Sequence, residues 1–234
     1  RDRPLVCGMR EPPAGVRARA VEIGADLYCS GAGFDAWPAA EPGHWTWDGL
    51  GQTRSMLPEP ALTGGYQRDN AALALAALAA MDRLPAATSI ADGLRSVTVR
   101  GRFECHDVDG VDVILDVAHN PAAAAALAMA LDDRRCRGRT LAVFGMYRDK
   151  EINQVVAALR PCVDCWYAVG LPLPRGVGSD EMATVLHGNG VEVAGRAADP
   201  VSGYGAAMAA TVAGDRVVVL GSFATVAPVS GLFL

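Results

Sequence analysis

The chain has 234 residues, enough for one large domain or two small ones. Hydrophobic residues make up 51% and charged residues 20%, the balance of a folded protein rather than a disordered one. The formal net charge of -5 argues against a general nucleic-acid binder, and no apolar run reaches the roughly 18–20 residues of a membrane span.

The opening Arg1-Asp2-Arg3-Pro4 has neither Met nor the apolar core of a secretory signal, so a cytoplasmic chain that begins partway through a longer protein is expected. A short strand is expected over 4–8 and a helix over 12–25, with Val16, Ala20, Val21 and Ile23 as its apolar positions. Residues 26–65 are rich in Gly, Pro and Trp. Within them Trp45-Thr46-Trp47 followed by Asp48-Gly49 suggests a small hairpin. A strong helix pattern covers 67–81 and a second covers 89–97, with Ser89 as its N-cap.

Near residue 99 the texture changes. Strand patterns over 103–108 and 111–117 are joined by Asp109-Gly110, a hairpin signal. Helices over 121–131, 150–159, 180–187 and 200–213 then alternate with strands over 139–144, 164–169, 191–194 and 216–220. That alternation predicts an α/β fold with a doubly wound, mostly parallel sheet. The domains are expected to be 1–98 and 99–234.

Six cysteines are scattered, and only Cys162 and Cys165 form a CxxC. A zinc ribbon needs a second pair, which the sequence lacks. The thiols read as reduced and structural, and no metal ligand is assigned in this chain.

In an open parallel sheet, ligands bind beyond the carboxyl ends of the strands. Three sets of residues fall there: Asp116, His119 and Asn120; Gly145 to Lys150; and Gly221 to Phe223. Asn120 with Pro121 reads as an N-cap and first helical position. Asp116 ends an apolar strand, where a carboxylate needs a partner. It could hold a ribose hydroxyl or fix the tautomer of His119. A helix N-terminus attracts anions. Arg100 and Arg102 are either surface charges or phosphate ligands. Gln67 and Asn70 either cap a helix or bond a nucleotide.

Four stretches occur in order: TGGYQRDNAALALAAL (63–78), RGRFE (100–104), LDVAHNPAAAAAL (115–127) and VFGMYRDKEI (143–152). VVVLGSFATVA (217–227) follows. Together they resemble the folylpolyglutamate synthase/dihydrofolate synthase family of the Mur ligase superfamily. The resemblance implies an ATP-dependent ligase. It would add L-glutamate to dihydropteroate or to folate (poly)glutamates such as those of tetrahydrofolate, through an acyl phosphate, using ATP and Mg2+. It implies that 1–98 is the end of a P-loop-type central ATPase domain and 99–234 the glutamate-ligase domain. By the same resemblance Asn70 lies near adenine, Arg102 reaches phosphate, Asp116 holds the nucleotide, His119 lies near phosphate or glutamate, and Ser222 contacts glutamate. A cytoplasmic monomer without nucleic-acid or membrane partners is implied.

The sequence also departs from the family. The P-loop G-x-x-x-x-G-K-S/T is absent, as are the Glu, His and modified Lys of the first domain. Metal ligands are therefore expected upstream, and this chain alone is expected to be inactive. Tyr66 and Ala224 stand where many relatives carry His. Two rival readings are a UDP-muramoyl peptide ligase and a non-catalytic nucleotide-binding module. A Rossmann dehydrogenase is disfavoured, because no G-x-G-x-x-G follows a strand.

Overall fold

The computed structural model describes residues 3–62 and 64–234. Arg1, Asp2 and Thr63, the first residue of the 63–78 stretch, lie outside the described residues. The chain divides into two compact units, residues 1–97 and 98–234.

In the first unit, β1 (Leu5–Cys7) pairs in parallel with β2 (Leu27–Cys29), and α1 (Ala14–Ile23) lies between them in sequence. Helix α1 stops at Gly24, whose φ of 68° supplies the left-handed cap that glycine takes without cost. Its expected apolar position Val21 instead faces solvent, 82% exposed. The expected single hairpin is a three-stranded antiparallel sheet of β3 (Phe34–Pro38), β4 (His44–Gly49) and β5 (Gln52–Pro58). The turn is Leu50-Gly51, with φ of 51° and 73°, not Asp48-Gly49. Gly49 stays in the strand, where an added Cβ would meet the Phe34 side chain at 2.6 Å.

Trp45 and Trp47 point inward and pack with Phe34 and Leu57. The sheet rests on α2 (Tyr66–Ala80), through Ala72, Leu75, Ala76 and Ala79, and on Ile90 of α3 (Ala87–Ser96). Each indole N–H finds a carbonyl: Trp45 at Pro58 (2.8 Å) and Trp47 at Ala72 (3.1 Å). Helix α3 starts two residues before the expected cap Ser89, with Ala86 at the N-cap and no side-chain cap bond.

The second unit is a six-stranded sheet. Its strands are β6 (Glu104–Val108), β7 (Val111–Asp116), β8 (Thr140–Phe144), β9 (Cys165–Val169), β10 (Val193–Ala197) and β11 (Arg216–Leu220). The order is β10-β9-β8-β11-β7-β6, with only β6 antiparallel. Asp109-Gly110, with φ of 53° and 79°, makes the two-residue turn between β6 and β7. The central strands β8, β9 and β11 are buried along their whole length, as strands covered on both faces must be.

Helices α4 (Pro121–Asp133), α5 (Ile152–Leu159) and α6 (Ser179–Gly188) pack with Ile114, Phe144, Trp166 and Val218 on one face. Helices α7 (Pro200–Ala209) and α8 (Phe223–Ser230) pack with Leu115, Val143 and Val219 on the other. This is the doubly wound arrangement expected from the alternation. Helix α7 ends four residues early. Asp215 holds the N–H of Val212 (3.2 Å) and that of Arg139 (2.8 Å), so the chain turns into β11 instead of continuing as helix. Helix α8 was not anticipated; Pro228 lies inside it, on its exposed face. Among the described residues no helix is long and apolar enough to cross a membrane.

Candidate functional site

The register of the second unit aligns Asp116 of β7 with Leu220 of β11, and Leu220 with Phe144 of β8. Residues far apart in sequence therefore leave the sheet side by side at its carboxyl edge.

Asp116 is 6% exposed. Its Oδ2 accepts the N–H of Phe103 and its Oδ1 that of Ala118, both at 2.8 Å. Burial pushes its pKa above the ordinary 3.8, although these bonds and the nearby Arg102 pull the other way. The missing partner of this strand-end carboxylate is thus the backbone of two loops, which it pins together.

One of those loops carries Arg102. It sits between Gly101 (φ 67°) and Phe103 (φ 48°), both left-handed. For a non-glycine residue such as Phe103 that region costs roughly 1–2 kcal/mol. The bond to Asp116 and the burial of the Phe103 ring hold it there. Gly101 also accepts the N–H of Val117 at 2.9 Å. The Arg102 guanidinium lies 5.8 Å from the centroid of the Phe223 ring, within cation–π reach. Among the described residues it forms no salt bridge. Its charge is therefore open to an anion.

His119 is half-buried, with Nδ1 2.9 Å from the carbonyl oxygen of Val117. A carbonyl can only accept, so Nδ1 carries the proton and Nε2 of the neutral ring is an acceptor. Asn120 is the N-cap of α4: its Oδ1 accepts the N–H of Ala123 at 2.9 Å, with Pro121 at the first helical position. The three polar residues of the strand–helix joint thus divide the work. Asp116 ties loops, His119 presents a ring nitrogen, and Asn120 starts the helix.

Ser222, expected as a glutamate contact, is a helix cap in the structure. It is 3% exposed and caps α8, its Oγ accepting the N–H of Thr225 at 3.1 Å. The Thr225 hydroxyl donates to the Gly145 carbonyl at 2.6 Å. In the 2.9 Å pair between the two hydroxyls, Ser222 is therefore the donor. Its hydroxyl faces inward and caps a helix. Gly221, at φ 113°, is required just before it, because a Cβ there would lie 2.4 Å from the Gly145 oxygen.

Asn70 belongs to the first unit. It does not cap α2; its Nδ2 donates to Gln67 Oε1 at 3.0 Å. Both amides line a cavity of about 410 Å³ between α2 and α3, otherwise walled mainly by apolar side chains such as Leu75, Leu78, Ile90 and Leu94. An apolar slot with two amides is suited to a flat heterocycle.

Two participants carried no role in the sequence reading. Thr225 links α8 to the end of β8, and Glu104 accepts the N–H of Gly101 at 2.7 Å. A carboxylate three residues after a glycine is the only trace of Glu104 in the sequence, and that signal is weak. Among the described residues no group of three or more His, Cys, Asp or Glu could hold a metal ion. The CxxC thiols are free, and burial raises the pKa of both.

These features belong to a doubly wound α/β domain, and residues 101–223 match the family described as Mur ligase, glutamate ligase domain. The chain belongs to the Mur ligase family. It is 37% identical, over 230 residues, to the dihydrofolate synthase/folylpolyglutamate synthase of Escherichia coli (strain K12), covering 97% of this chain and 51% of that protein. The solved structure of E. coli FolC in complex with DHPP and ADP superposes with a TM-score of 0.83 at 35% identity, over 98% of this chain and 53% of that one. A bifunctional folylpolyglutamate synthase/dihydrofolate synthase with Mn, AMPPNP and L-glutamate bound gives 0.81 at 33% identity, over 99% and 53%. The chain spans about half the length of the relatives it matches.

Proposed function

We propose that this chain forms part of an ATP-dependent ligase that joins L-glutamate to dihydropteroate, to folate (poly)glutamates, or to both. In this reading residues 1–98 complete an ATP-binding domain and residues 99–234 are the glutamate-ligase domain. The observation that carries it is the Arg102 guanidinium without a salt bridge, held between two left-handed residues in a domain of glutamate-ligase family. The relatives found with ADP, AMPPNP and L-glutamate support the choice of substrates. The same comparisons favour folate over a UDP-muramoyl acceptor.

ATP supplies the phosphoryl group that activates the acceptor carboxylate, and Mg2+ offsets phosphate charge. No residue of this chain is assigned to that ion. In this chain the Arg102 fork grips phosphate oxygen. Asp116 fixes the backbone next to Arg102, at Phe103, and next to His119, at Ala118. Nε2 of His119, the ring nitrogen not bonded to the Val117 carbonyl, accepts a hydrogen bond from the incoming amine or takes its proton as the amide forms. Asn70 and Gln67 bond the edge of the adenine in their apolar cavity. Ser222 contributes by fixing α8, which carries Phe223. Positioning and charge complementarity, not covalent chemistry of the protein, would supply the acceleration. The reading carries with it a cytoplasmic monomer.

The test is glutamate-dependent ADP release by the intact gene product, offered dihydropteroate, tetrahydrofolate or a UDP-muramoyl peptide. Release with a pterin acceptor is expected, and release only with the UDP acceptor would overturn the reading. The 234-residue chain alone is expected not to turn over.

A further inference from the structure

We infer that Glu104 is a positioning residue that sets Arg102 for anion binding, acting through the backbone of Gly101. The inference rests on the reading of Arg102 as the phosphate contact.

Glu104 is the first residue of β6. Its Oε2 accepts the Gly101 N–H at 2.7 Å, on the far side of Arg102 from the bond between Phe103 and Asp116. Arg102 is thus gripped by a carboxylate through the residue before it and by another through the residue after it. Both of those residues are left-handed, a conformation that persists only where the surroundings over-determine it.

The Glu104 carboxylate is itself clamped. Oε1 lies 2.9 Å from His106 Nε2, and the Ser230 hydroxyl lies 3.4 Å from each oxygen. The His106 ring stacks on Phe233 at 4.0 Å and 10°. A carboxylate fixed by His106 of its own strand and by Ser230 at the end of α8 is a rigid post. Burial pushes its pKa up, but the Gly101 N–H and His106 more than offset this and keep it below the ordinary 4.5. It therefore stays an ionised acceptor at neutral pH. Binding through a long arginine is weakened by the freedom the side chain and its loop must lose. Fixing the backbone at both flanks beforehand removes part of that cost.

The experiment is titration of ADP into the intact protein and its variants by calorimetry. Arg102→Ala is expected to weaken ADP by about tenfold or more, and Glu104→Ala by about five- to tenfold, the range of one charge-assisted bond and the order it maintains. Glu104→Gln keeps an acceptor for the Gly101 N–H and should stay within about twofold of the parent. The double variant E104A/R102A should bind no more weakly than R102A alone, since both act through one group. Additive losses, or an E104A that binds like the parent, would overturn the inference while leaving Arg102 as the phosphate contact. An R102A that binds ADP like the parent would remove both.

Should E104A not fold, His106→Phe serves instead, because it keeps the stack on Phe233 and deletes only the bond to Glu104. Faster hydrogen exchange over residues 99–103 and about twofold weaker ADP are expected for H106F. Unchanged exchange there would overturn the inference.

Discussion

Replacing Ser222 with alanine separates a helix cap from a substrate contact. The change removes the oxygen that accepts the Thr225 N–H at 3.1 Å and the hydroxyl that donates to Thr225 Oγ1 at 2.9 Å. Loss of a serine N-cap costs about 1 kcal/mol. The Thr225 oxygen, buried and bonded onward to Gly145, loses its donor, which adds roughly another 1 kcal/mol. The sum of about 2 kcal/mol corresponds to a fall in Tm of about 6–8 °C for a unit of this size. Differential scanning calorimetry gives the Tm, and steady-state kinetics of the intact enzyme well below it give KM for glutamate. The expected result is a lower Tm with a glutamate KM changed less than about threefold, since uniform binding contacts are untouched. An unmoved Tm with a KM raised tenfold would refute the capping argument and return Ser222 to the substrate.

Three further outcomes follow from the geometry. Gly101→Ala forces a Cβ to 3.0 Å from Val117 and 3.2 Å from Val226 at a φ of 67°, so a loss of about 1–2 kcal/mol in denaturant unfolding is expected, together with weaker ADP binding. Asp215 is 2% exposed, and burial pushes its pKa up. The N–H groups of Arg139 and Val212 and the Arg139 side chain outweigh that and bring it below 3.8. The stability it provides is complete above the ordinary value and is lost as pH falls through the lower folded one. Asp215→Asn should thus lower Tm at pH 7 and flatten its decline on acidification below 3.8. Trp47→Phe removes the indole bond to the Ala72 carbonyl and part of a fully buried ring, so the first unit should lose about 2–3 kcal/mol, read from tryptophan fluorescence during urea unfolding.

The parallel sheet was legible because its central strands are short apolar runs bounded by turn residues. The Asn120-Pro121 helix start and the Asp109-Gly110 turn announce themselves by the same local chemistry. The meander of the first unit did not, because its strands hold Pro, Gly and Asp, and only the Trp45/Trp47 alternation carries an inward face. Helix α8 was hidden by Pro228, which counts against a helix wherever it occurs inside one. In the candidate site, Asp116 was legible as a carboxylate lacking a partner, and His119 as its neighbour. What could not be read is that the partner is a backbone N–H brought round by Phe103 in a left-handed conformation, which no residue preference for phenylalanine suggests. Ser222 was placed correctly at a strand end, but the inward turn of its hydroxyl depends on Thr225 and Gly145 together.

Strand β11 enters the sheet between β7 and β8, pairing Arg216 with Asp112 on one side and with Thr140 on the other. Until residues 216–220 are in place, β7 and β8 have no common neighbour and the two helical layers have no shared floor. Each strand already has a neighbour on its other side, β6 for β7 and β9 for β8, but the two halves must wait for a late strand, so closing the sheet is a long-range event rather than a sequence of local ones. A polypeptide of this design, emerging vectorially, would hold open a cleft with two bare strand edges until its central strand arrives. Nascent-chain shielding, by a chaperone or by rapid completion of synthesis, then matters more for this unit than for a meander whose neighbours in space are neighbours in sequence.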